Sequence, residues 1–231
     1  MKTYLPRFLL LASLSSLFAM GGYATVIEAV PFTISKAGTY TLDGNLTYSG
    51  ASEAITVTAS SVVIDLKGFT LTGTGPTNGQ IAIYSQGPNN VTVQNGTITG
   101  FTDGVDFQGG AQEVVQNLGI FNSGLSVVMQ NSSFSTIQNC FIVGVGPGST
   151  SDGVYLTNDT GIVVKNCQIA NDFAGGTSSI TGGNIFIANQ LTDCNFGLIF
   201  DSGSIDKYQG CVTNGCTTPF TNGIAVGDEN N

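Results

Sequence analysis

Val93-Gln94-Asn95-Gly96-Thr97-Ile98 returns three more times, as Val115-Gln116-Asn117-Leu118-Gly119-Ile120, Ile137-Gln138-Asn139-Cys140-Phe141-Ile142 and Val164-Lys165-Asn166-Cys167-Gln168-Ile169. The shared phrase is an apolar residue, Gln or Lys, Asn, two variable residues and Ile. Its asparagines lie 22, 22 and 27 residues apart. A period of this length, with short apolar strands between turn residues, marks a solenoid. The first apolar residue and the final Ile are five apart, so strict alternation would send them to opposite faces. Both reach the interior only if the chain bends between them. Asn tolerates the left-handed backbone of such a corner. Stacked asparagines also supply one another with amide partners.

A second phrase, Gly-apolar-variable-apolar, occurs at Gly104-Val105-Asp106-Phe107, Gly124-Leu125-Ser126-Val127, Gly153-Val154-Tyr155-Leu156, Gly197-Leu198-Ile199-Phe200 and Gly223-Ile224-Ala225-Val226. Runs such as Ile55-Thr56-Val57-Thr58 and Val91-Thr92-Val93 are β-branched and alternate, as strands do. Each turn therefore carries more than one strand. The reading is an all-β parallel β-helix of roughly eight or nine turns.

The first 24 residues read as a secretory signal: Lys2 and Arg7, an apolar run over 8–20, and a small-residue site at Gly22-Tyr23-Ala24. That run is too short to span a membrane, which needs ~20 residues. The expectation is a signal peptide over 1–24 and one β-helix domain over 25–231, with no membrane span once the signal is gone. Four lysines then stand against fifteen acids, a net charge of −11, with no His, Arg or Trp. Such a field repels nucleic acid and anionic surfaces. The absence of His also excludes Ser-His-Asp catalysis and His-based metal sites.

Five cysteines in an exported chain permit disulfides. Cys211 and Cys216 bracket a turn-forming stretch and are one candidate pair. Cys140 and Cys167 hold the same place in successive repeats, so they are expected to stack ~4.8 Å apart, within disulfide reach. Two buried thiols filling the core satisfy the same pattern.

The phrases Pro31-Phe32-Thr33-Ile34, Gly38-Thr39-Tyr40-Thr41-Leu42, Val63-Ile64-Asp65-Leu66-Lys67-Gly68-Phe69-Thr70-Leu71 and Val91-Thr92-Val93-Gln94-Asn95-Gly96-Thr97-Ile98 resemble the opening turns of bacterial right-handed parallel β-helix repeat proteins of the pectate lyase-like superfamily. The resemblance implies a right-handed helix over nearly the whole exported chain. It implies no single activity, since the superfamily holds lyases, hydrolases, epimerases and non-enzymatic surface proteins.

Thr102-Asp103-Gly104-Val105-Asp106 is similar to part of the polygalacturonase pattern, and Asp152 takes the place of Asp103 two turns on. Asp103, Asp106 and Asp152 are therefore the candidate catalytic residues for a polysaccharide hydrolase or lyase. Carboxylates ~5 to 10 Å apart can act on a glycosidic bond. Asp before Gly is equally a turn device. The other polygalacturonase segments (Asp-Asp, Gly-His-Gly, Arg-Ile-Lys) are absent, and so is the Arg that pectate lyases use beside calcium.

Two segments break the rhythm, 144–150 and 172–177, and both follow the same corner in adjacent turns. Loops on a rigid scaffold are where binding usually sits. Tyr155, Asp172 and Phe173 are the candidate ligand-binding residues there, with Tyr155 expected to face outward. Asp103 and Asp106 are candidate calcium ligands, since calcium prefers oxygen. No other cofactor is required. Short Thr rows, Thr70-Leu71-Thr72 and Thr97-Ile98-Thr99, raise an ice-binding alternative, but the rows do not continue. The expectation is a secreted or envelope protein that contacts extracellular polysaccharide or cell-surface glycan without turning it over. A carbohydrate-active enzyme using the corner aspartates is the alternative.

Overall fold

The computed structural model describes residues 23–180 and 182–227, so the stretch 1–24, expected to be a secretory signal, lies outside them except for Tyr23 and Ala24. Among the described residues every regular element is a strand. The strands form one sixteen-stranded sheet and one nine-stranded sheet. All pairings run parallel, as in Asp103–Gln108 against Leu125–Gln130 and Val91–Thr99 against Val114–Phe121. One turn gives a strand to the nine-stranded sheet, then a bent strand to the larger sheet. Val91–Thr99 and Val114–Phe121 run unbroken through the bend, while in earlier and later turns it splits the second strand in two, as in Val62–Asp65 and Thr70–Thr72 or Thr136–Gln138 and Phe141–Val143. The chain is a right-handed parallel β-helix.

The asparagine corner forms because Asn95, Asn117, Asn139 and Asn166 all adopt positive φ, between 53° and 58°. Flanking registers place them in one column, with Gln94 over Gln116, Gln138 and Lys165. Asn117 donates to Asn95 Oδ1 at 3.2 Å, and Asn139 to Asn117 Oδ1 at 3.4 Å. Beside them Gln116 donates to Gln94 and Gln138 to Gln116, both at 2.7 Å. Asp65 heads both ladders, its Oδ2 accepting from Gln94 Nε2 and Asn95 Nδ2 at 3.0 Å each. Each amide thus has a partner one rung away, which keeps the corner regular.

Inside, apolar columns run along the axis: Val93, Val115, Ile137, Val164 and Phe186 in one, Ile98, Ile120, Ile142, Ile169 and Leu191 in another, all fully or almost fully buried. Truncating one, such as Ile142→Ala, removes contacts on both neighbouring rungs and costs about 2–5 kcal/mol.

The Gly phrase has a structural cause. The ladder skips Gly104, and the next pair is Val105↔Val127. A side chain on Gly104 would meet Ile120 inside, and Val105 is also fully buried, so two consecutive residues point inward. This bulge lets Asp103 and Asp106, three apart, share the outer face. The inward small position is held by Ala54, Ala82, Gly104, Ser126, Gly153 and Gly175. Gly124 therefore sits two residues before the equivalent position. Ile224 pairs with Lys207 in the larger sheet and is no counterpart of Val105. The 172–177 segment also departs from expectation: Ala174–Ser179 is a regular strand, with Gly175-Gly176 in the Gly-Val place.

All five cysteines are thiols. Cys140 stacks on Cys167, as the register Phe141↔Gln168 requires, and the column continues through Asn189 to Cys211. Asn189 accepts from the Cys167 amide at 2.9 Å. Cys211 and Cys216 occupy different columns, which corrects the expected small-loop pairing: Cys216 lies under Cys194, as Thr192↔Asn214 and Phe196↔Thr218 fix. The intervening Val212–Asn214 is a strand of the larger sheet and carries the chain from one corner to the next.

Candidate functional site

The outer face of the nine-stranded sheet gathers most of the chemistry. One outward column runs Glu53, Ile81, Asp103, Leu125, Asp152, Ala174. The next runs Thr56, Tyr84, Asp106, Val128, Tyr155, Thr177. A third carries Gln86, Gln108, Gln130 and Thr157. Tyr155 does face outward, half-buried.

Two loops leave the helix at the corner before these strands, 73–80 and 144–151, and wall one side. Pro76 lies over Gly124, and Asn195 donates to Pro147 O at 2.5 Å. Gln80 anchors the first loop by donating to Gly50 O and accepting from the Thr74 amide and hydroxyl.

The three candidate aspartates do not converge as one group. Asp103 stands two rungs from Asp152, ~10 Å along the ladder. Leu125 and Val128 fill the rung between them, and Val128 is buried. Asp106 lies instead beside Asp103, and Asp152 beside Asp172. Burial pushes Asp103 up to about 6. It does the same to Asp106, also about 6, where the Gln108 amide opposes the shift and the Asp103 charge adds to it. Asp152 is raised to about 6 by burial, against hydrogen bonds from Thr177 and the Ala174 amide.

Tyr84 roofs Asp106. Its hydroxyl donates to Gln108 Oε1 at 3.2 Å, while Gln108 Nε2 donates to Asp106 Oδ2 at 2.9 Å. Asp106 is only 3% exposed and its Oδ1 has no partner. Burial, Asp106 and Glu53 all raise the Tyr84 hydroxyl's pKa, so it stays a donor. Sequence reading missed Tyr84. Its signal was position: it precedes Asp106 by 22 residues, one turn, in the same alternation as Tyr155.

Asp172 and Phe173 behave differently from Tyr155. Asp172 is fully buried at the corner, with burial raising it to about 7. Phe173 packs on Phe196 one rung away, ring centroids 5.3 Å apart and the rings tilted by 57°. The 144–151 loop lies beside them as expected: Gly146 donates to Asn171 O and Phe173 to Ser151 O, both at 2.8 Å.

A separate carboxylate set closes the opposite corner. Glu113 accepts from the Ser135 hydroxyl, Asp159 from the Ser132 and Thr157 amides, and Asp206 from the Asn184 amide. These groups are buried and partnered, and they serve as caps for the turns.

Among the described residues no helix is long and apolar enough to cross a membrane. No curated protein matches the chain. Among solved structures it is similar to the enzymatically active domain of tailspike protein 2 of bacteriophage CBA120. The identity is 13% and the TM-score 0.53, over 83% of this chain and 38% of that one. The full-length tailspike protein 2 gives 11% and 0.51, over 83% of this chain and 34% of that one. The chain thus spans little more than a third of these structures, and the likeness is one of fold. The catalytic domain of a GH87 α-1,3-glucanase in complex with nigerose aligns at 12% identity and TM-score 0.47, over 89% of this chain and 63% of that one. Residues 26–223, nearly all of the helix built above, match the family described as periplasmic copper-binding protein (NosD), and the chain belongs to that family.

Proposed function

We propose that this secreted or periplasmic envelope protein binds glycan, without turning it over, on the outer face of its nine-stranded sheet. The observation that carries the reading is the column Tyr84, Asp106, Val128, Tyr155. Two tyrosines three rungs apart bracket a buried carboxylate and an apolar floor. Tyrosine offers a flat apolar ring with a polar tip, suited to a sugar face and its hydroxyls. Gln86, Gln108 and Gln130 add amides along one flank, and the 73–80 and 144–151 loops bound the other. The tailspike domain and the glucanase are said to be enzymatically active or catalytic, but this chain shares only their fold, and fold does not fix function.

A second reading, a carbohydrate-active enzyme, rests on one specific observation. Asp103, Asp106 and Asp152 are all raised to about 6, the range of a general acid near neutrality. The apolar rung between the two acid pairs favours the binding reading. So does the Gln108 amide that already occupies Asp106.

The family description names copper, and the side chains here do not fit a copper centre. Among the described residues no three His, Cys, Asp or Glu side chains come together to hold a metal. The chain has no His. Its stacked thiols are core residues, and burial pushes Cys194 up to about 12, leaving it protonated. Copper sites want thiolate, thioether or imidazole donors brought together.

A glycan array probed with the exported chain, followed by turnover assays on every glycan that binds, tests the proposal. Binding without turnover, lost by more than about tenfold in Tyr84→Ala and Tyr155→Ala, supports it; tenfold is ~1.4 kcal/mol, within an aromatic contact's worth. Turnover abolished by Asp103→Asn or Asp152→Asn establishes the enzyme instead.

A further inference from the structure

Asp172 is the least satisfied polar group in the described structure. It is fully buried, and neither carboxylate oxygen has a partner. A buried polar group without a donor calls for an explanation. The local backbone is shaped around it: a side chain on Gly144 would overlap its Oδ1, and one on Gly153 would lie 3.2 Å from its Oδ2. The Ser151 hydroxyl is the nearest donor and holds the Asp172 pKa down against burial, but it makes no well-formed hydrogen bond to either oxygen. Either hydroxyl can donate in the 2.7 Å contact between Ser149 and Ser151, and Ser149 also reaches Gly146 O at 2.6 Å.

Asp152, the first residue of the neighbouring strand Asp152–Thr157, adds a second negative charge, close enough to push Asp172 further up. Two carboxylates in a dry corner repel each other unless something positive lies between them. Carbonyls of Gly146 and Asn171 lie at the same corner, the second accepting from the Gly146 amide. The donors are carboxylate, carbonyl and hydroxyl oxygens, the set hard divalent ions choose. The one sulfur nearby, Cys194 on the next rung, is no thiolate.

We infer that Asp152 and Asp172, beneath the 144–151 loop, form a binding site for a hard divalent cation of the calcium class. The ion would bridge the loop to the nine-stranded sheet and hold the wall of the outer face in place. Asp103 and Asp106, the pair expected from sequence to hold calcium, are less suited: only one buried oxygen there, Asp106 Oδ1, lacks a partner, against both oxygens of Asp172. The inference does not depend on the glycan reading.

Isothermal titration calorimetry of calcium chloride into the exported chain, with thermal unfolding in EDTA and in calcium, tests it. The expected result is one ion per chain and a Tm that climbs with calcium concentration. Asp172→Asn should lose at least tenfold in affinity while keeping its β circular dichroism, and Asp106→Asn should keep the affinity. If Asp172→Asn does not fold, Asp152→Asn decides the same point. No heat and no Tm shift up to about 10 mM calcium, above the range of extracellular calcium modules, overturns the inference. So does binding that survives Asp172→Asn and disappears in Asp106→Asn.

Discussion

Gln108 donates its side-chain amide to Asp106 Oδ2 at 2.9 Å and leaves the other oxygen of that carboxylate buried without a partner. The carboxylate therefore depends on one neutral donor. Removing that donor by Gln108→Ala is expected to destabilise the fold by about 1.5–3 kcal/mol at pH 8, the scale of a hydrogen bond to a charged group. At pH 5 Asp106, raised to about 6, is mostly protonated and the loss should shrink. Urea unfolding at the two pH values checks this, and equal losses would refute it.

The pH dependence of the whole fold follows from the same physics. Burial raises Asp103, Asp106 and Asp152 to about 6, and Asp159 and Asp172 to about 7. A carboxyl raised above its unfolded value holds its proton in the folded state where the unfolded chain has lost it. Stability is then greatest below the unfolded values near 4 and falls as pH rises through 6 to 7. Repulsion among the many acids acts in the same direction. In EDTA, Tm should be higher at pH 5.5 than at pH 8 by more than about 4 °C, since ~1 kcal/mol moves a protein of this size by ~2–4 °C. Differential scanning calorimetry reads it directly.

The inward bulge predicts which glycines matter. A side chain on Gly153 would meet Gly175 O at 2.8 Å, with Ile169 and Asp172 close by, whereas one on Gly148 meets nothing within 4 Å. Gly153→Ala should cost about 1–3 kcal/mol through overpacking, and Gly148→Ala within ~0.5. Chemical denaturation of the pair checks both.

Asn117 combines a left-handed backbone (φ 54°) with an amide in the ladder. The two contributions separate by substitution. Asn117→Gly keeps the backbone freedom and loses the ladder, and should cost about 1 kcal/mol. Asn117→Ala loses both and should cost about 1–2 kcal/mol more, because Ala is strained at positive φ. Equal costs for the two variants would mean that the corner is not strained.

The asparagine corner was legible because it is doubly marked: a residue that accepts positive φ, at a fixed spacing, between apolar residues of incompatible parity. Asp103 over Asp152 followed from counting turns. The Gly phrase was read correctly for Gly104 and Gly153 but misplaced at Gly124, because Ser126 fills the same small inward position. Tyr84 was missed because Ile81-Ala82-Ile83 lacks a Gly. Cys194 was missed although it follows Asp172 by one 22-residue turn, because its phrase, Thr192-Asp193-Cys194, lacks the corner Asn. Asp172 looked like a loop residue exposed to ligand, yet the backbone around Gly144 and Gly153 encloses it. Spacing reveals columns; which side of a corner a residue takes depends on neighbours one rung away.

Hydrogen–deuterium exchange with and without a glycan selected on the array shows whether ligand lies across the tyrosine-bracketed face of the nine-stranded sheet. Bound glycan should slow exchange in Ile81–Gln86, Asp103–Gln108, Leu125–Gln130 and Asp152–Thr157. Slowed exchange confined to the asparagine corner, with those four strands unchanged, would contradict it.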